Sequence, residues 1–203
     1  KALYSGNISL IDKGIGRILR ALDELGLVEN TLVVFASDHG EMLGERGMWF
    51  KFNPFEASMR VPLIAQGPRF QSGHKEQALA SLVDLLPTFT DIASDSEFDD
   101  FAVPITGRSL VPMLEGGAGS VHGDAPLGYE LSGNAALFRG DYKLVRNLAP
   151  AGDGKWRLYD LKTDPGETRD LAAAAPDRFA AMMADYRAYA KANGVLDMPA
   201  GYT

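Results

Sequence analysis

Leu10, Ile11, Ile15, Ile18, Leu19, Leu22 and Leu25 recur at helical spacing. The spacing predicts an amphipathic helix from about Ser5 to Leu25, stopping near Gly26, with one face docked on a sheet. After Glu29-Asn30, the run from Thr31 to Ala36 is β-branched and continuously apolar. That is the pattern of a strand covered on both faces, so the two segments predict an α-to-β unit of a mainly parallel sheet. Arg60-Val61-Pro62-Leu63-Ile64-Ala65 predicts a second strand, closed by Gly67 and Pro68. From Gln77, the spacing of Leu79, Leu82, Leu85, Leu86, Phe89 and Ile92 predicts one or two helices around Pro87.

Residues 93–125 are rich in Ser, Asp, Gly and Pro and read as connecting loops with a short Leu110–Leu114 element. The pattern then changes. Pro126–Leu131, Ala135–Arg139, Tyr142–Arg146 and Trp156–Leu161 predict short strands, the middle two joined through Gly140-Asp141 as a hairpin. Phe179, Met182, Met183, Tyr186, Tyr189 and Ala190 mark a final helix, with Pro176 near its start and Gly194 past its end. The expected fold class is α/β: part of a mainly parallel sheet with covering helices over residues 1–125, then a small antiparallel sheet with a packed helix over residues 126–203.

Composition narrows the function classes. The chain has 203 residues, 46% of them hydrophobic, and a formal net charge of -7. Its Lys and Arg residues are scattered, so no basic face is set up to neutralise phosphates and no nucleic-acid partner is expected. The most apolar short run is far below the length that spans a bilayer, and Lys1-Ala2-Leu3-Tyr4 lacks the apolar core of a signal peptide, so no membrane partner is expected. The first residue is not Met, which fits an excised segment or a mature amino terminus. The absence of cysteine excludes disulfides and thiolate chemistry but leaves the compartment open between periplasm and cytoplasm, as the sequence leaves the oligomeric state.

Ser37-Asp38-His39-Gly40 lies just past the carboxyl end of the first predicted strand, the edge at which open α/β sheets bind ligands. Asp38 offers a hard carboxylate oxygen and His39 a ring nitrogen, so the pair can reach one cation. The same residues fit a second reading, in which Asp38 caps a turn and His39 bonds a backbone carbonyl. Both stay open on these residues alone.

The wider stretch from Ser37 to Lys51, with Phe55-Glu56 and Arg60-Val61-Pro62-Leu63-Ile64, resembles the sulfatase family of the alkaline-phosphatase-like superfamily, in particular choline-sulfatases and phosphonate-monoester-hydrolase-like members. Gly107-Arg108-Ser109-Leu110, Phe138 to Val145, Leu158-Tyr159-Asp160-Leu161 and Asp164-Pro165-Gly166-Glu167 continue the resemblance and look more like arylsulfatases. The resemblance implies that Asp38 and His39 match two ligands of a divalent metal, calcium first and manganese as the alternative favoured by the imidazole. It implies that Lys51 matches a lysine contacting the sulfate group. It also implies a nucleophile, formylglycine, made from a Cys or Ser in a Cys-or-Ser-x-Pro-x-Arg motif. This chain has neither cysteine nor Ser-x-Pro-x-Arg. The expectation is therefore a carboxy-terminal part of a sulfuric ester hydrolase, inactive alone, whose partners are the amino-terminal part of the same enzyme and a small-molecule sulfate ester. A phosphonate or phosphate ester hydrolase and a non-catalytic scaffold or docking module are the alternatives.

Other features carry plainer expectations. Arg139-Gly140-Asp141 is read as a hairpin turn rather than an adhesion tripeptide. His74 and His122 are expected to be exposed, and Asp99-Asp100 to be surface charge. Phe50 and Phe52 fit either a dry pocket wall beside Lys51 or core. Glu56 and Arg60 form a candidate ion pair and Glu130 a candidate for the substrate side; the sequence decides neither.

Overall fold

The structure, a computed structural model, describes residues 1–68, 70, 72–93, 105–117 and 119–199. The opening helical pattern forms α1 (Ala2–Glu24). Gly26 stops it in a left-handed turn, φ 67°, with its amide bonded back to Asp23 O at 3.0 Å. No residue of α1 is buried, and Leu3, Ile8, Leu10, Ile11 and Ile18 are exposed. The expected docking of a whole face is thus reduced to the last turns, where Leu19 and Leu22 line a groove with Val33 and Gly67.

β1 (Val33–Ala36) is only half-buried, α2 (Glu56–Met59) is a single turn, and β2 (Leu63–Gln66) follows it. β1 and β2 run antiparallel, Val33 opposite Gln66 and Ala36 opposite Leu63. The mainly parallel sheet expected here is not shown: among the described residues this region forms a two-stranded antiparallel pair. A continuous apolar run says that a strand is to be covered, but it carries nothing about the direction of its neighbour.

Beyond β2, a 3-10 turn at Leu82–Asp84 leads into α3 (Leu85–Ala93). Its start is fixed by reciprocal bonds between Ser81 and Asp84. Pro87 falls in the first turn of α3, where its missing N–H costs nothing. The short element near residue 110 is α4 (Val111–Leu114). Asp99-Asp100 lies outside the described residues.

The best-buried layer comes last. β3 (Leu127–Leu131), β4 (Asn134–Arg139), β5 (Tyr142–Arg146) and β6 (Trp156–Asp160) form the predicted antiparallel sheet, and they pair in chain order. Arg139 faces Tyr142 across the Gly140-Asp141 turn, with Gly140 at φ 57°, so the Arg-Gly-Asp tripeptide is a tight hairpin. Strand alternation gives the sheet two covered faces. Ala135, Leu137, Leu144 and Leu158 face α5 (Pro176–Ala192) and pack on Met182 and Tyr186, with the Trp156 and Tyr186 rings 4.5 Å apart. Each such fully buried leucine contributes about 1.5–3 kcal/mol. Ala136, Phe138, Val145 and Tyr159 face the opposite way and take Met59 and Leu79 against them. That second face joins the sheet to the segment following β1. Among the described residues no helix is long and apolar enough to cross a membrane.

Candidate active site

β1 ends at Ala36, and the chain turns at once through Ser37, Asp38, His39 and Gly40. Ser37 Oγ donates to His39 O at 2.8 Å and His39 N donates to Asp38 Oδ1 at 3.0 Å, a local network that shapes the turn. Gly40 N and Glu41 N then donate to Ser58 O and Ala57 O of α2, at 2.7 and 2.9 Å. The approach leaves no room for a side chain, since a Cβ on Gly40 would lie 2.0 Å from Ala57 O. Only glycine fits, and the strand end is strapped to α2.

His39 Nδ1 lies 2.8 Å from Gly40 O. A carbonyl can only accept, so Nδ1 carries the proton and Nε2 presents its lone pair. Nε2 is 3.4 Å from Asp38 Oδ2, and the ammonium of Lys51 donates to the same Nε2. Two acceptors from adjacent residues therefore face one spot, and such a pair is favourable only with positive charge between or beside them. Lys51 supplies that charge here. The Asp38 side chain is 83% exposed and that of His39 37%, so a cation can reach both. Their 3.4 Å separation suits two donors on one cation at about 2.0–2.6 Å. The donor set thus fits a divalent metal, one hard oxygen and one imidazole nitrogen. The turn-ordering reading of Asp38-His39 is thus observed: Asp38 accepts from the His39 amide and His39 bonds the Gly40 carbonyl. Among the described residues no group of three or more metal-ligating side chains gathers.

Lys51 arrives on a loop bent through several uncommon conformations. Leu43, Arg46 and Phe50 have φ of 49°, 54° and 70°, strain that concentrates where a loop must place a particular side chain. Glu41, which sequence reasoning passed over, braces this loop: its Oε1 accepts from Phe50 N at 2.6 Å, immediately before Lys51. Phe50 and Phe52 are neither core nor a dry wall in this chain, being 68% and 66% exposed, and Trp49 is exposed beside them.

One expectation is corrected, the exposure of His122, and the two open candidates Glu56 and Glu130 are found with other partners. Glu56 pairs with Lys143, 2.8 Å away, and not with Arg60. His122 is buried, its Nε2 donating to Asp84 Oδ2 at 2.8 Å, because Asp84 also gathers Ser81 N and Arg108 N and needs the imidazole to complete its shell. Glu130 Oε1 accepts from Gly133 N at 2.6 Å and serves the β3–β4 turn. His74 is part-exposed, 3.5 Å from Glu76.

Comparison with known proteins matches residues 1–96 to the sulfatase family model. The choline-sulfatase of Rhizobium meliloti (strain 1021) is 36% identical over 179 residues, covering 83% of this chain and 32% of that protein. A solved protein bound to its substrate D-glucosamine-2-N,6-O-disulfate superposes with a TM-score of 0.75 at 29% identity, over 91% of this chain and 39% of the other. The phosphonate monoester hydrolase of Silicibacter pomeroyi gives 0.71 at 29% identity, over 88% and 39%. The chain spans about a third of the length of the curated relatives it matches. The family model begins with α1 and runs through the strand end that carries Asp38, His39 and Lys51, and the likeness to relatives continues across the antiparallel sheet. By descent, then, the chain belongs to the sulfatase family.

Proposed function

We propose that this chain is part of a sulfuric ester hydrolase in which Asp38 and His39 hold a divalent cation and Lys51 binds the sulfate group. The nucleophile, formylglycine in this family, is carried by residues outside the chain, and these 203 residues alone are inactive. The observation that carries the reading is the convergence of Asp38 Oδ2, His39 Nε2 and Lys51 Nζ at the carboxyl end of β1. Calcium is the metal that the family resemblance favours, and the imidazole makes manganese the alternative.

A cation held here would act as a Lewis acid on the sulfuryl oxygens. The chain's own residues do the rest. Gly40 O keeps the Nδ1 proton of His39 in place, so Nε2 stays unprotonated and can act as an acceptor or ligand. The Lys51 ammonium lies beside the same spot, where it offsets charge on the sulfate and on the leaving oxygen as the ester bond breaks. Glu41, by fixing Phe50 N, holds the lysine's backbone, and the exposed rings of Trp49, Phe50 and Phe52, which flank Lys51 in sequence, would offer apolar surface to the organic half of the ester.

A phosphonate or phosphate ester is the second reading, favoured by the 29% identical phosphonate monoester hydrolase structure. The same cations suit both tetrahedral anions. The test is to express the chain together with the coding sequence upstream of Lys1 and assay an aryl sulfate, choline sulfate and a phosphonate monoester side by side. Sulfate hydrolysis that appears only with an upstream Cys- or Ser-x-Pro-x-Arg motif supports the first reading. Faster phosphonate hydrolysis supports the second, and no hydrolysis of any ester would leave the chain as a docking module.

A further inference from the structure

Lys143 stands on β5 with no exposed surface, on the face that also carries Val145 and Phe138. Its ammonium lies 2.8 Å from Glu56 Oε1 and 2.9 Å from Glu167 Oε1, and 5.0 Å from the centre of the Phe138 ring. Glu167 Oε2 accepts from the Glu56 backbone N at 2.9 Å. Glu56 is the first residue of α2, so the helix start is gripped twice, by its side chain and by its amide. Arg46, reaching back from the loop that precedes Lys51, donates to Gly166 O and Glu167 O at 2.8 and 2.6 Å and lies over the Phe55 ring.

A buried group of charges is a poor way to gain stability, because desolvation consumes most of the Coulombic attraction and apolar side chains of equal volume do as well or better. What such a group fixes is geometry. The next two residues of α2, Ala57 and Ser58, supply the carbonyls that hold Glu41 N and Gly40 N, and the peptide so clamped offers Gly40 O to His39 Nδ1. A continuous line of bonds therefore runs from the antiparallel sheet to the imidazole.

We infer that Glu56, anchored by Lys143, is a positioning residue for His39: it sets α2 so that Gly40 O locks the imidazole as the Nδ1–H tautomer, with Nε2 unprotonated and accepting from Lys51. This deepens the sulfate-ester reading, on which its functional meaning rests. Its test reads the imidazole alone, so either can fail without the other.

The chain has three histidines, which makes their side-chain nitrogen signals separable by NMR. His39 should show a protonated Nδ1 and a bare Nε2, whereas His122, donating through Nε2 to Asp84, shows a protonated Nε2 and serves as an internal reference for folding. In Glu56→Ala, His39 is expected to lose its single tautomer while His122 keeps its signal. If His122 is lost as well, the variant has unfolded and Glu56→Asp is read instead. That change keeps the charge and shortens the arm by one methylene. A return of His39 toward the tautomer mixture of a free imidazole in a folded variant supports the inference. An unchanged Nδ1–H tautomer in a folded variant overturns it.

Discussion

Lys143 and Glu56, 87 residues apart, meet at 2.8 Å with none of the lysine in contact with water. The pair, with Glu167, pins the strand-end loop to the sheet. Lys143→Met should destabilise the chain by about 3–5 kcal/mol, because two carboxylates are left buried without their partner. His122→Ala should cost less, about 1–3 kcal/mol, since Asp84 keeps its bonds from Ser81 N and Arg108 N. Urea unfolding of both variants beside the wild type checks the order, and equal losses would argue that Lys143 is not the sole counter-charge of its site.

Lys51→Ala in the complete enzyme should lower turnover about a hundred- to a thousand-fold. Stability should move by no more than roughly half a kcal/mol, apart from the contact to His39. Turnover on an aryl sulfate and the thermal midpoint, both at saturating metal, separate the two effects. Wild-type turnover would remove Lys51 from the chemistry.

Divalent cations should bind this chain weakly and the complete enzyme firmly, because Asp38 and His39 are two donors where a hard cation takes six or more. Calorimetric titration with calcium and manganese is the measurement. Asp38→Ala and His39→Ala should each weaken binding further, and His39→Ala should weaken manganese more than calcium. Equally tight binding by chain and enzyme would mean that the ligands lie elsewhere.

Alkaline pH should destabilise the sheet and α5. Burial raises the pKa of Tyr129, Tyr159, Tyr186 and Tyr189 above 10.0 by penalising the phenolate. The folded value exceeds the unfolded one, so this contribution is complete below about pH 10 and is lost as pH rises through the folded value. Urea midpoints measured across that window should fall in the wild type and fall less in Tyr186→Phe. Parallel curves would mean that Tyr186 ionises without resistance.

Much of this was legible because local patterns carried it. The stripe from Phe179 to Ala190 could belong only to a helix with one covered side, and it lies against Ala135, Leu137 and Leu144. Gly140-Asp141 between two apolar runs could only turn. Asp38 and His39 were picked out as candidates by their place after an apolar run and Lys51 by family likeness, and the three side chains do lie together. What escaped depends on partners distant in sequence. His122 sits in a polar stretch, and its burial follows from Asp84, 38 residues earlier. Arg60 is the nearer candidate for Glu56 in sequence, yet strand alternation turns Lys143 inward in phase with Val145, where it meets Glu56. The pairing direction of β1 and β2 had no signal at all, since hydrophobicity does not encode strand polarity.

The bareness of α1 has a consequence for how the chain opens. A 23-residue helix with no buried residue draws little from tertiary packing beyond its last turns, and packing is what gives most helices in proteins their stability. Its amides should therefore exchange with solvent at close to unfolded rates while those of β4 and β5, at the centre of the sheet, exchange only through global unfolding. The chain would then consist of a slow-exchanging unit, the sheet with α5, and a fast one whose order has to come from whatever eventually covers Leu3, Ile8, Leu10, Ile11 and Ile18.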